Sequence, residues 1–325
     1  MRKKLLPGLF SLFALALLTT GGLLSYVVWQ TRPICLRDYA TSDKEINQVA
    51  AKSEATLKIL TWNIQMLPTL LADFTAKLDK MQYERAPWIV DFLKQQDYDV
   101  VCFQEALDPQ AVQQLVEGLR PVYPYVVLPR YSGHFWQLSS GVLFVSRVPI
   151  TYKANIVFKE NHGVDHLAAK GCTLIEGRKD GLTFQMAGTH FPTGRGIYKT
   201  TNCEQAVKEL LVPYKRAQVP QFFVGDFNIK KDSKEYVFLM KATGMSESAI
   251  DDPRPYSSDF KNSWKKVGDG RGNKLALIDH ILLDPQGTKT VVRVQHIQRA
   301  THEFNGKTID LSDHYGVSAE IVIAN

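Results

Sequence analysis

Residues 221–228 read QFFVGDFN, an aromatic and β-branched run closed by Gly225 and followed by Asp226 and Asn228. A short apolar run that stops at glycine and acid reads as a buried strand running into a turn, where an α/β scaffold presents reactive groups. Similar signals recur along the chain. TWNIQ carries Asn63, VVCFQE carries Glu105, GTHF carries His190, and LSDHYGV sets Asp313 and His314 before a β-rich terminus. Any one of these has a plain structural reading. Asp226 could cap the turn after GDFN, Ser312 and Asp313 could bond local amides, and Glu105 could cap a helix beginning at Pro109. Five such strand-end signals in one chain argue instead for a shared site.

Outward from this stretch the pattern alternates. TLKILTWNI reads as a strand, residues 85–95 as a helix with Ile89, Val90 and Leu93 on one face, and residues 109–119 as a helix with proline at its first position. GVLFVS, ITYKANIVF, GCTLIEG and LTFQMAGTH are strand runs. Helices are expected near 204–211 and 234–241, and strands at LALIDHILL, near 291–296 and at GVSAEIVIA. The fold class that fits is α/β, as a four-layered α/β sandwich of two packed β-sheets flanked by helices.

The 325 residues are 45% apolar, ample for a core, and carry a net charge of +6. Without Arg2, Lys3 and Lys4 the balance is 36 basic to 33 acidic residues, or +3. That mild excess does not require a nucleic-acid partner. Residues 5–29 contain no charged side chain, and at about 1.5 Å per residue they span a hydrocarbon core of roughly 30 Å. Residues 1–30 are therefore expected to be a single-pass transmembrane anchor, with a cleaved secretory leader as the alternative. The cations before the run place the remainder of the chain outside the cytoplasm. Residues 31–56 read as a linker and 57–325 as one catalytic domain. Cys102 and Cys172 read as small buried hydrophobes, while Cys35 and Cys203 lie in loops where a disulfide is neither required nor excluded.

Cleaving a phosphodiester needs charge neutralisation at the phosphoryl oxygens, an aligned and deprotonated water, and a proton for the leaving oxygen. Glu105 is a hard oxygen ligand suited to Mg2+, which takes few carboxylates and keeps several waters. His190 and His314 can move protons near neutral pH, with Asp279 and Asp313 available to orient them. Asn63 and Asn228 can donate amide hydrogens without adding negative charge.

TWN, CFQE, GTHF, GDFN, IDHIL and LSDHYGV, in this order, resemble the endonuclease/exonuclease/phosphatase superfamily over roughly residues 57–325. The resemblance implies phosphate-ester hydrolysis with magnesium. It makes Glu105 the metal ligand supported by Asn63, and gives Asp226 the attacking water and Asn228 the phosphoryl group. It pairs Asp279 with His314 and makes His190 a candidate proton donor; the division into base and acid stays open. DHLAAKGCTLI, residues 165–175, is similar to the Asp and Lys-Gly element of neutral sphingomyelinases, which makes Asp165 and Lys170 substrate-site residues. His280 stands where the superfamily commonly has an aromatic residue.

The implied substrate is sphingomyelin, a membrane phospholipid, released as ceramide and phosphocholine. An anchor would hold such a site at the bilayer, and the loop residues Tyr131, His134, Phe135 and Trp136 suit its boundary. A nuclease of the same fold, with nucleic acid as its partner, is the enzymatic alternative, and a tethered binding module the non-enzymatic one.

Overall fold

The strand carrying TWN, β1 (Glu54–Met66), is covered on both faces and holds together the larger of two mixed sheets. In the computed structural model, the described residues are 50–69, 81–134, 137–161, 163–193, 196–264 and 275–324, with residues 22 and 38. β1 runs parallel to β2 (Val100–Ala106) and antiparallel to β13 (Gly316–Ala324). β3 (Tyr125–Val127), β4 (Leu143–Ser146) and β10 (Val291–Gln298) complete the order β10-β13-β1-β2-β4-β3. The second sheet follows the order β5-β6-β7-β8-β9. Its strands are Ile150–Val157, Gly171–Lys179, Leu182–His190, Gln221–Asp226 and Asp279–Asp284, with β7 and β8 parallel.

Each sheet thus has a parallel pair at its centre, joined through a helix. α1 (Gln82–Lys94) lies between β1 and β2, and α3 (Ile197–Ala206) with a following π turn between β7 and β8. Period-two alternation sorts the core. Cys102, Phe144, Met186 and Phe222 meet between the sheets, whereas the next residues Phe103 and Phe223 face outward. Phe103 packs under α1 and α2 (Pro109–Leu119), and Phe223 under α3 and α4 (Lys234–Thr243). Burying each such ring contributes about 2–3 kcal/mol.

Several expectations shift in detail. The helix expected from residue 204 begins at Ile197, after Gly196 at φ 61°, and continues as the π turn Val207–Leu211. The hairpin β11 (Thr301–Phe304) and β12 (Lys307–Asp310) was not expected. Its turn, Asn305-Gly306 with φ 50° and 71°, is nevertheless the Asn-Gly hairpin signal. β1 already pairs with β13 at Glu54, and the Asp38 carboxylate accepts from the Leu128 amide at 2.9 Å.

Cys102 and Cys172 are buried and free, as expected; Cys203, expected in a loop, is instead buried on α3, and it too is free. The expected transmembrane segment, apart from Gly22, and Cys35 lie outside the described residues, as do Phe135 and Trp136. Among the described residues no helix is long and apolar enough to cross a membrane.

Candidate active site

The chemistry-bearing residues gather at one edge of the paired sheets. Asn63 and Glu105 come from the C-terminal ends of the parallel strands β1 and β2, and His190 and Asp226 from those of β7 and β8. Asp279 opens the antiparallel β9, and His314 stands just before β13. Strand register aligns three of them. His190 pairs with Asp226 and Asp226 with Asp279, so one row across β7, β8 and β9 carries all three. Gly225 makes this possible: at φ 144° a Cβ would lie 2.0 Å from the Thr189 carbonyl oxygen.

Asp226 is the hub. Its Oδ2 accepts from Asn63 Nδ2 at 3.0 Å, and its Oδ1 from the Asn228 amide at 2.8 Å. His190 Nε2 lies 3.6 Å from Asp226 Oδ2 and 3.7 Å from Glu105 Oε1. The Lys170 ammonium donates to the same His190 Nε2 at 3.0 Å and pairs with Asp165 Oδ1 at 2.6 Å. Thr193 donates to Asp165 Oδ2 through its amide at 2.7 Å and its hydroxyl at 2.8 Å. Asp279 Oδ2 holds His314 Nδ1 at 2.9 Å. Asp313, half-buried, is the closest acid in sequence to His314 and repels the Glu105 carboxylate. Asn228 Nδ2 donates to the Phe191 carbonyl at 3.0 Å.

Burial and neighbours divide the two imidazoles. Burial, then the Lys170, His314 and Lys199 cations, pushes His190 well below the usual histidine range. An ammonium can only donate, so His190 Nε2 is an acceptor and the neutral ring carries its hydrogen on Nδ1. Burial also opposes the charge on His314, but Asp279, Asp313 and Asp226 overcome it and raise the group to about 10. His314 is therefore an imidazolium at neutral pH. Burial and Asp279 raise the Asp226 carboxyl.

Asp226, Asp279 and His314 form a group whose ligand atoms lie within 4.8 Å of one another, an arrangement able to hold a metal ion. Its imidazole is charged and already bonded to Asp279, which opposes cation binding. Glu105 fits better. Burial and the Asp313 charge push its carboxyl up to about 7, a strain that a divalent cation beside this hard oxygen donor would relieve.

The sequence profile of the Endonuclease/Exonuclease/phosphatase family matches residues 60–314. The chain belongs to that family. Sphingomyelinase C 2 of Leptospira interrogans is 27% identical over 317 residues, covering 86% of this chain and 49% of that protein. A Staphylococcus aureus phospholipase C is 28% identical over 230 residues, 64% of this chain and 68% of its own. The chain thus spans about half the length of the Leptospira relative. A crystal structure of Staphylococcus aureus beta toxin with bound magnesium ions shares the family fold. It has a TM-score of 0.67 at 21% identity and covers 82% of this chain and 99% of that one.

Within the family frame, the structure brings together Asn63, Glu105, Asp165, Lys170, His190, Asp226, Asn228, Asp279, Asp313 and His314. It also separates site residues from caps. The cap of α2 is Asp108, which accepts from the Ala111 amide at 2.8 Å, so Glu105 is left for the site. Glu105 sits at φ 54°, a left-handed conformation costly for a glutamate and held by the surrounding structure. The ring of Phe191, directly after His190, turns into the core against Phe158 and Phe227, while its carbonyl accepts from the Asn228 side-chain amide.

Three supporting groups escaped the sequence reading. Buried Arg85 donates to the Ile64 and Leu311 carbonyls at 2.8 and 2.9 Å, stapling the segments after Asn63 and before His314. Its signal was present: Arg85 lies four residues before Ile89, on the apolar face of α1. The Trp62 indole donates to the His314 carbonyl at 2.9 Å. Lys199, on α3, reaches the Pro192 carbonyl and, at 3.2 Å, the Phe227 carbonyl. No spacing rule in GIYKTTN marks that lysine.

Proposed function

We propose that this chain is a magnesium-dependent phosphodiesterase that hydrolyses sphingomyelin to ceramide and phosphocholine. The observation that carries the substrate reading is the Lys170 ammonium, bonded at once to Asp165 and His190. The D-x4-K-G element, which resembles that of neutral sphingomyelinases, is thereby tied into the hydrolytic centre. Relatives named sphingomyelinase C and phospholipase C support the same assignment.

In this reading Glu105, with Asn63 beside it, holds Mg2+, which when bound supplies charge neutralisation at the phosphoryl oxygens. Asp226, raised by burial and fixed by Asn63 and Asn228, takes the proton of the attacking water. The water oxygen bonds to phosphorus as the bond to the ceramide oxygen breaks. His314, charged and steered by Asp279, supplies the proton that the leaving oxygen needs. Lys170 adds a fixed cation beside the phosphate, and keeps His190 neutral and oriented. Residues 1–30 would anchor the catalytic domain at the outer membrane surface, or be removed on secretion.

The test is to offer the purified full chain sphingomyelin vesicles, phosphatidylcholine vesicles and plasmid DNA, each with magnesium and with chelator. Magnesium-dependent phosphocholine release from sphingomyelin, with intact DNA, is expected. Nicked plasmid beside untouched lipid would move the chain to the nucleases.

A further inference from the structure

The 3₁₀ turn Gly163–Leu167 is inside out for a segment folding in water. Its acid, Asp165, is 4% exposed, while its aliphatic neighbours Val164 and Leu167 are 69% and 38% exposed. Thr193, which makes two bonds to Asp165, precedes α3 in the chain by four positions. Ile197, the first residue of that helix, is 74% exposed. Among the described residues six large apolar side chains are this open to solvent; of these, Val164 and Leu167 flank the buried Asp165, and Ile197 follows by four positions the Thr193 that bonds to it. Single exposed aliphatics need no explanation, but a group of them joined to a buried reactive centre does.

We propose that Val164, Leu167 and Ile197 form a docking face that seats in the interfacial zone of a choline-phospholipid bilayer. The proposal rests on the sphingomyelin reading above and adds how the substrate surface is met. A choline-phospholipid surface carries no net charge, so a basic patch would gain little there, whereas aliphatic side chains gain by leaving water. The face is also rigidly coupled to the chemistry. Asp165 binds Thr193 with one carboxylate oxygen and Lys170 with the other, and Lys170 reaches His190. The depth at which Val164 and Leu167 seat thus sets how close Lys170 and His190 come to the headgroup layer.

Val164→Glu and Ile197→Glu, singly and together in the full chain, test this. Both side chains are open to solvent, so folding is expected to survive, and unchanged thermal melts check it. Turnover is compared on sphingomyelin vesicles free of anionic lipid and on a water-soluble short-chain sphingomyelin below its micelle concentration. The double variant should lose at least about tenfold on vesicles, since a charge in the interface opposes seating, yet stay within about twofold on the monomeric substrate. Equal loss on both substrates, or no loss on vesicles, overturns the proposal. So does a change from dimer to monomer in sedimentation with vesicle turnover kept, which would assign the face to a second copy of the chain. If the wild-type chain releases phosphocholine from neither substrate, the sphingomyelin reading itself fails and the docking face with it. If it releases phosphocholine from both and the variants do not separate them, only the docking face fails.

Discussion

The Lys170 ammonium donates to His190 Nε2 at 3.0 Å, although both side chains are almost fully buried. The contact joins the start of β6 to the end of β7 and brings a positive charge to the row formed by His190, Asp226 and Asp279. Such a cation is tolerated because Asp165 balances it at 2.6 Å.

Lys170→Met leaves the Asp165 carboxylate buried with only its Thr193 donors. The variant should lose about 3 kcal/mol of stability and on the order of a hundredfold in kcat. Adding Asp165→Asn should restore most of the stability and none of the activity. Thermal melts and steady-state rates on the two variants separate the roles.

Glu105→Gln removes a charge that burial and Asp313 already disfavour. Its melting temperature should equal or exceed that of the wild type, while magnesium-dependent turnover falls by roughly a thousandfold. Magnesium titration by calorimetry should show weakened binding. Undiminished turnover would remove Glu105 from the centre.

Much of the site was legible in the sequence because the strand ends announce themselves. QFFVGDFN and LTFQMAGTH each place a reactive side chain where an apolar run stops, and the structure aligns those ends in one register row. Hidden from the sequence was how distant segments close on one another. Arg85 reaches Leu311 across 226 positions, and nothing local in either segment encodes that meeting. Lys199 escaped for the same reason: its partners are backbone carbonyls, which leave no trace in residue type. The Asn-Gly turn of the β11–β12 hairpin was visible, but it joins strands too short and too polar to stand out.

Lys199 bridges the carbonyls of Pro192 and Phe227, which come just after His190 and Asp226 in the chain. Burial drives its amine down to about 7. Lys199→Met should leave KM within about twofold and reduce kcat roughly tenfold, because the ends of β7 and β8 lose their cross-tie. Leu239→Ala, a cavity in the same outer core, serves as the control. At a comparable drop in melting temperature it should keep its kcat.

A second buried group governs stability with pH. His280 Nδ1 meets Glu247 Oε1 at 2.8 Å and its Nε2 donates to the Ile229 carbonyl at 2.8 Å, while Glu247 also accepts from Tyr236 at 2.6 Å. Burial opposes the charge on Glu247, but His280, Tyr236 and Lys231 lower it to about 2. Its stabilisation, of the order of 3 kcal/mol, is complete above the unfolded glutamate value near 4.5 and is lost as pH falls toward 2. His280 is raised, against burial, chiefly by Glu247. Its share is complete below about 6.5 and is lost as pH climbs through the folded value. Urea denaturation across pH should show both slopes, and Glu247→Gln should flatten them.

The most direct measurement of the central claim is hydrolysis of sphingomyelin in heavy-oxygen water, followed by mass analysis of both products. Attack of water at phosphorus predicts one heavy oxygen in phosphocholine and none in ceramide, with product formation abolished by chelator and cut roughly a thousandfold by Glu105→Gln. Label in ceramide, or release of phosphocholine that persists without magnesium, would contradict the account.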